Sequence, residues 1–281
     1  METLSVWGPE ACVGDCLPPG HFFPLGNYPL VANYIDTSGY VVFIARKQDY
    51  LAPNGIFLSC PSFVFPENVI VEPDVIRCGS VCIDRETAVV FNSGCNFSAA
   101  NGNLFESRLF ATVENNLGIF PKKSLFFTVF EHFEPEVLCG FDSALVNAVR
   151  AATSLMANGH ILQGVDLLKG LGAGTTPAGD DFIGGLLYGL NYRQEACGEE
   201  NSWLIDLIFT SSKGRNPISN AMLLHAAKGR FFASLKDFLQ AVDQNSNTAD
   251  SLSRLLSHGS TSGADLLSGF LFAIKHRTTV L

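Results

Sequence analysis

Between Tyr28 and Phe97 the apolar positions come in short runs rich in valine, isoleucine, phenylalanine and tyrosine, each closed by turn residues. The runs Tyr40–Arg46 (YVVFIAR), Gly55–Ser59, Val69–Val71, Val75–Arg77, Val81–Ile83 and Ala88–Phe91 predict β-strands. Thr37-Ser38-Gly39, Pro53-Asn54-Gly55 and Glu72-Pro73-Asp74 predict the turns between them. Short strands at this spacing suit an antiparallel sheet or small barrel. Past Asn101 the period changes: Leu104, Phe105, Leu109, Phe110, Val113 and Leu117 recur at three and four, which predicts an amphipathic helix. Ser124–Phe130 (SLFFTVF) fits a strand or a buried helix equally. From Pro135 the pattern is helical: Val137–Met156, Ile161–Lys169, Phe182–Tyr192, Trp203–Phe209, Ile218–Ala227, Phe231–Val242, Ala249–Leu256 and Asp265–Ile274. The expected fold is α+β, with a β-rich domain over 1–134 and a helical domain over 135–281.

Composition narrows the function classes. The 281 residues are 47% hydrophobic and 16% charged, a globular composition. A net charge of −9 argues against general affinity for nucleic acid or anionic lipid. No run approaches the ~20 apolar residues of a membrane span, and METLSVWGPE lacks the basic start and apolar core of a signal peptide. A cytoplasmic protein is expected. The eight cysteines (Cys12, Cys16, Cys60, Cys78, Cys82, Cys95, Cys139, Cys197) are scattered, and their close pairs lack zinc-site spacing, so reduced thiols are expected.

The densest chemistry lies at Gly170–Leu190, GLGAGTTPAGDDFIGGLLYGL. Gly170, Gly172, Gly174 and Gly179 precede Asp180, Asp181 and an apolar helical run. Glycines let a backbone approach a ligand, and a helix start favours an anion through its unpaired N–H groups. Thr176-Pro177 fits an N-cap followed by proline at the first helical position. Neither GxGxxG nor a Walker lysine is present, which disfavours those nucleotide sites. Asp180 and Asp181 would repel a phosphate unless Mg²⁺ or a basic side chain intervenes; alternatively they only complement the helix dipole.

A second segment echoes the first. Ser260–Ile274 (STSGADLLSGFLFAI) aligns without gaps on Thr176–Leu190, matching Gly179 with Gly263, Asp181 with Asp265 and Gly185 with Gly269. Interior helix glycines each cost ~1 kcal/mol against alanine, so their presence predicts a close helix contact. The two helices are expected to pack on their small-residue faces and bring both N-termini to one pocket.

Other candidates are weaker. Lys213 and Arg215 precede another predicted helix and suit neutralisation of an acidic substrate, or else simply a solvated loop; Ser219 follows on the first turn. The histidines show no HExxH spacing, and His258, beside the second turn, is expected to be solvent-exposed. No GxSxG elbow is present, and Cys95, in a predicted turn, lacks an evident base.

The stretch 170–182, Gly-Leu-Gly-x-Gly-x-Thr-Pro-x-Gly-Asp-Asp-Phe, resembles the signature of the AllH family, a subunit of oxamate carbamoyltransferase. Weaker support comes from Ser219…Ala226…Gly229-Arg230-Phe231 and from Ser-Gly-x-Asp-Leu-Leu-x-Gly at 262–269. Thr175 and Ala178 stand where that pattern usually has leucine and serine. The resemblance implies transfer of a carbamoyl group between oxalurate and phosphate in allantoin or purine nitrogen catabolism, with other carbamoyltransferase subunits as partners. On that reading Asp180 and Asp181 are the catalytic or Mg²⁺-holding candidates. Gly172, Gly174, Thr175, Thr176, Gly179, Lys213, Arg215, Ser219, Ser260, Ser262, Gly263 and Asp265 would contact a small anion such as carbamoyl phosphate, phosphate or oxamate. The competing classes are a non-catalytic anion-binding or assembly subunit and a stand-alone enzyme on another small carboxylate.

Overall fold

The computed structural model describes residues 4–6, 11–60, 63–97 and 102–277. They form two compact units: residues up to Gly94 together with Phe231–Ser234, and residues Cys95–Arg230 with those from Leu235 onward. The helix that begins at Gly102 is thus grouped with the later helices. The physical reason is that the first long helix packs with later ones: Phe105 lies 4.8 Å, ring to ring, from Tyr192.

The first unit is one ten-stranded sheet in the order β1-β9-β8-β7-β3-β4-β5-β6-β2-β10. The strands are β1 (Leu4–Val6), β2 (Ala11–Gly14), β3 (Gly20–Asn27), β4 (Val31–Ile35), β5 (Val41–Ala45), β6 (Gly55–Leu58), β7 (Val69–Val71), β8 (Val75–Cys78), β9 (Val81–Asp84) and β10 (Val89–Phe91). The sheet is mixed, with β1–β9, β2–β10 and β5–β6 paired parallel and the other described pairs antiparallel. Strands β1, β2, β3 and β4 escape sequence reading. In β3 the cause is Pro24 and two glycines, with a register shift between Pro24 and Gly26. Phe22, Tyr34, Ile44, Ile56, Val69 and Ile76 fill the core of the unit. Tyr34 donates its hydroxyl to Pro66 O at 3.0 Å, and Asn54 Nδ2 donates to Val41 O at 2.7 Å, so these buried polar groups are satisfied.

The second unit is helical: α1 (Gly102–Glu114), α2 (Gly140–Ala157), α3 (Ile161–Leu168), α4 (Ala178–Cys197), α5 (Ser202–Ser212), α6 (Pro217–Ala227), α7 (Ala233–Asp243), α8 (Thr248–Leu256) and α9 (Ser262–Lys275). The ambiguous run at 124–130 is neither strand nor α-helix but a 3₁₀ turn at Leu125–Thr128. Its phenylalanines stack in an aromatic cluster, with Phe126 at 3.9 Å from Phe120 and 4.9 Å from Phe130. None of the helices described is long and apolar enough to cross a membrane.

Helix α4 is buried almost all round, from Gly179 to Arg193, as a central core helix must be. Asn191 is one of the polar residues buried in its body, and its amide nitrogen is put to use. Its Nδ2 donates to Leu187 O at 3.0 Å, Ala226 O at 3.0 Å and Ala227 O at 3.3 Å, tying α4 to the end of α6. Asn191→Ala is expected to cost about 1 to 3 kcal/mol by removing the side-chain tie between α4 and the end of α6. A shift in the urea midpoint at unchanged slope would register it.

Candidate functional site

The site is built on a helix pair that repeats. A Cβ placed on Gly185 of α4 would sit 1.8 Å from Leu266 O of α9, and one on Gly269 of α9 would sit 1.9 Å from Phe182 O of α4. Phe182 and Leu266 occupy matching positions in the two aligned segments, so the contact is reciprocal. Further along, a Cβ on Gly189 would meet Ala273 Cβ at 2.5 Å. Only glycine permits backbones this close, and close packing offsets its poor helix propensity.

The likeness extends backwards into the preceding helices. A Cβ on Gly179 would meet Leu168 O, at the end of α3, at 1.9 Å; one on Gly263 would meet Leu255 O, near the end of α8, at 2.0 Å. Gly172 and Gly259, in the two connecting loops, both take positive φ, +113° and +65°. Helices α3–α4 and α8–α9 are therefore two copies of one helix–loop–helix unit packed against each other.

The contacts from Thr176–Ser262 to Gly189–Ala273 advance together along both helices, so α4 and α9 run parallel and their N-termini meet. Thr176 Oγ1 lies 3.5 Å from Ser262 Oγ and donates to Asp181 Oδ2 at 3.2 Å. Ser262 also hydrogen-bonds the Asp181 carboxyl, and Thr261 interacts with that of Asp265. Asp265 Oδ1 accepts the Leu125 N–H at 2.7 Å, which docks the 3₁₀ turn on α9.

Both carboxyls are out of water, Asp181 at 2% and Asp265 at 0% exposure. Burial, followed by the charge of Asp265, holds Asp181 well above the usual carboxylate range, against the pull of Ser262 and Thr176. Burial likewise lifts Asp265 to about 7. No lysine, arginine or histidine is among the groups acting on either carboxyl.

The other sequence candidates take distinct places. Asp180 turns away from Asp181 and accepts the Gly170 N–H at 2.7 Å, bracing the glycine loop. Thr176 is not an N-cap, as expected from sequence: Pro177 is, and the Thr176 hydroxyl serves Asp181 instead. First-turn donors are partly consumed, since Gly179 N–H goes to Leu171 O and Gly263 N–H to His258 O. Gly174 (φ +110°) and Thr175 lie in the loop, with Asn216 Nδ2 donating to Thr175 O at 2.6 Å. That bond brings the start of α6 to the glycine loop. Lys213 and Arg215 are exposed on the α5–α6 connection, with Lys213 Nζ 4.3 Å above the Phe209 ring. Ser219 is buried, whereas Ser260 is exposed beyond the end of α8. His258 is not solvent-exposed as expected; burial pushes its imidazole down to about 4, so it is neutral near neutral pH.

Sequence reading missed Leu125, Thr261 and Asn216. Leu125 contributes through its backbone from an ambiguous segment, so no side-chain signal marks it. Thr261 adjoins the aligned Ser260, one position from where the hydroxyl was sought. The cysteines are all free, and burial lifts Cys78 and Cys95 to about 12, which leaves both without nucleophilic character near neutral pH. Among the described residues no group of three or more His, Cys, Asp or Glu is placed to hold a metal ion.

This doubled loop, with its paired aspartates, coincides with a known family pattern. Residues 168–274 match the AllH family model, oxamate carbamoyltransferase subunit AllH. The AllH match begins at the last residue of α3 and ends within α9, so it spans both glycine loops, both aspartates and all of α4 through α8. The β-sheet strands lie outside it. No solved structure matches the chain.

Proposed function

We propose that this chain acts as an AllH-like subunit of a carbamoyl-transferring complex and takes its small anionic substrate at the gathered N-termini of α4 and α9. The observation that carries this reading is the meeting of the N-termini of α4 and α9, each bearing a buried aspartate, Asp181 and Asp265, inside the region similar to AllH. The substrates proposed are carbamoyl phosphate, phosphate and oxamate or oxalurate, in allantoin or purine nitrogen breakdown in the cytoplasm, with other carbamoyltransferase subunits as partners.

The chemistry of the site is defined by its side chains. Hydroxyls of Thr176 and Ser262 sit beside two carboxyls whose hold on protons burial strengthens, that of Asp265 up to about 7. Such a carboxyl can give a proton to a leaving nitrogen or take one from an attacking amine. Gly172, Gly174 and Thr175 offer backbone close to a ligand, and the Lys213–Arg215 connection, tethered next to them through Asn216, supplies positive charge for a phosphate or carboxylate.

The test combines binding with turnover. A thermal shift on the purified chain with phosphate, carbamoyl phosphate and oxamate is expected to show stabilisation by at least one of them; at ~100 times its dissociation constant a ligand adds about 2.7 kcal/mol. Carbamoyl phosphate formation from oxalurate and phosphate should appear when the partner subunits are added, and Asp181→Asn should reduce it by ~100-fold. Ligand stabilisation with no loss of turnover in Asp181→Asn would assign the chain a binding role and leave the chemistry to a partner. The absence of both stabilisation and turnover overturns the reading.

A further inference from the structure

The pairing leaves an electrostatic imbalance at the centre of the molecule's helical unit. Two buried carboxyls lie here, with the charge of Asp265 felt at Asp181 and no basic group among the described residues acting on either, while the proposed substrate is itself an anion. Two further atoms show that the junction is incomplete. Asp265 Oδ2 is buried without a hydrogen-bond partner, and so is the hydroxyl of Ser219, a residue only 2% exposed. A buried polar atom left unpaired costs about 1 to 3 kcal/mol, so each calls for an occupant.

Ser219 belongs to this junction by helix geometry. Helix α6 runs alongside α4 in the same direction: Asn216 donates to Thr175 O at 2.6 Å, and Met222 Cε lies 3.2 Å from a Cβ built on Gly184. Ser219 is midway between Asn216 and Met222, three residues from each, and so faces α4 at the level of Asp180 and Asp181. The start of α6 thus lies next to the loop that opens α4, and the start of α4 meets that of α9 at Thr176 and Ser262.

We propose that Asp181 and Asp265 hold one hard divalent cation of the Mg²⁺ or Mn²⁺ class, with Ser219 on its third side. The donor set is all oxygen, which suits hard cations and not zinc or copper. Two carboxylates completed by waters and by a ligand phosphate or carboxylate is the usual Mg²⁺ arrangement. The cation reconciles an acidic pocket with an anionic substrate: it neutralises the pair and presents positive charge to the ligand. The inference rests on the proposed function for the position of the site and the anionic character of the ligand, but not on the carbamoyl reaction.

The experiment is Mn²⁺ binding by electron paramagnetic resonance on the purified, chelator-treated full chain, followed by competition with Mg²⁺. Wild type is expected to bind one Mn²⁺ per chain, displaced by Mg²⁺. Asp181→Asn and Asp265→Asn should each weaken binding at least about tenfold, equivalent to 1.4 kcal/mol. Ser219→Ala removes an atom with no structural bond, so it should stay folded and still weaken binding several-fold. Absence of Mn²⁺ binding by wild type overturns the proposal, as does binding retained by folded Asp181→Asn and Asp265→Asn proteins; if those variants do not fold, unchanged binding by Ser219→Ala overturns it. Carbamoyl transfer without Mn²⁺ binding would remove the cation and keep the proposed function; Mn²⁺ binding without transfer would do the reverse.

Discussion

Replacing Gly185 with alanine is expected to destabilise the helical unit by about 3 kcal/mol, near the top of the usual range for overpacking. The added methyl would lie 1.8 Å from Leu266 O, a backbone atom inside another helix that cannot rotate away. Relief requires α4 and α9 to separate, which also loosens the contact at Gly269, where a Cβ would meet Phe182 O at 1.9 Å. The two substitutions Gly185→Ala and Gly269→Ala share that displacement, so the double variant should lose less than the sum of the singles. Gly118→Ala provides the control, because a Cβ there meets nothing within 4 Å. Urea unfolding of the four proteins measures all of this; wild-type stability in Gly185→Ala would mean that the helices are not in backbone contact.

The second large effect is on pH dependence. Asp265 has a folded value of about 7 against 3.8 for a free carboxyl, and burial is the main cause. Between those values the folded chain holds a proton that the unfolded chain has released. Stability therefore falls as pH rises from about 4 to about 7, and is level beyond that as far as this group is concerned. Displacement of this size corresponds to roughly 4 kcal/mol. Asp181, raised in the same direction, adds to the decline rather than cancelling it. Asp265→Asn keeps an acceptor for the Leu125 N–H and removes the charge. It should match wild type near pH 4 and exceed it by a few kcal/mol at about pH 8, in chelator. Equal pH slopes for the two proteins would show that the carboxyl ionises normally in the fold. Added Mg²⁺ should shrink the wild-type slope if the pair holds a cation, since binding favours the ionised form.

Much of the helical unit was legible because its signals are local. Apolar spacing of three and four located every helix from α1 to α9 to within a few residues, and the repeated Gly–x–Asp followed by glycine located the α4–α9 contact. The sheet was legible only where valine and isoleucine runs are compact, as in β5, β6 and β7. Strand β3, with its proline and exposed phenylalanine, carries its pairing in the backbone, where side-chain pattern is a poor guide. The parallel pairings of β1 with β9 (Leu4 opposite Val81) and of β2 with β10 (Cys12 opposite Val89) join segments far apart in sequence, and no local pattern encodes such a partner.

By itself, then, the sequence determined the change from two-residue to helical periodicity, the doubled glycine–aspartate segment and the acidic character of its first turns. These follow from residue type and spacing. Tertiary structure alone decided which aspartate does what. Neighbours on a helix point about 100° apart, so Asp180 and Asp181 cannot share a task. One turns back to brace the glycine loop at Gly170, and the other turns to the second copy, towards Asp265. The burial of Asp181 and Asp265, and hence their hold on protons, comes from α9 packing against α4, a contact between residues more than eighty positions apart in the chain.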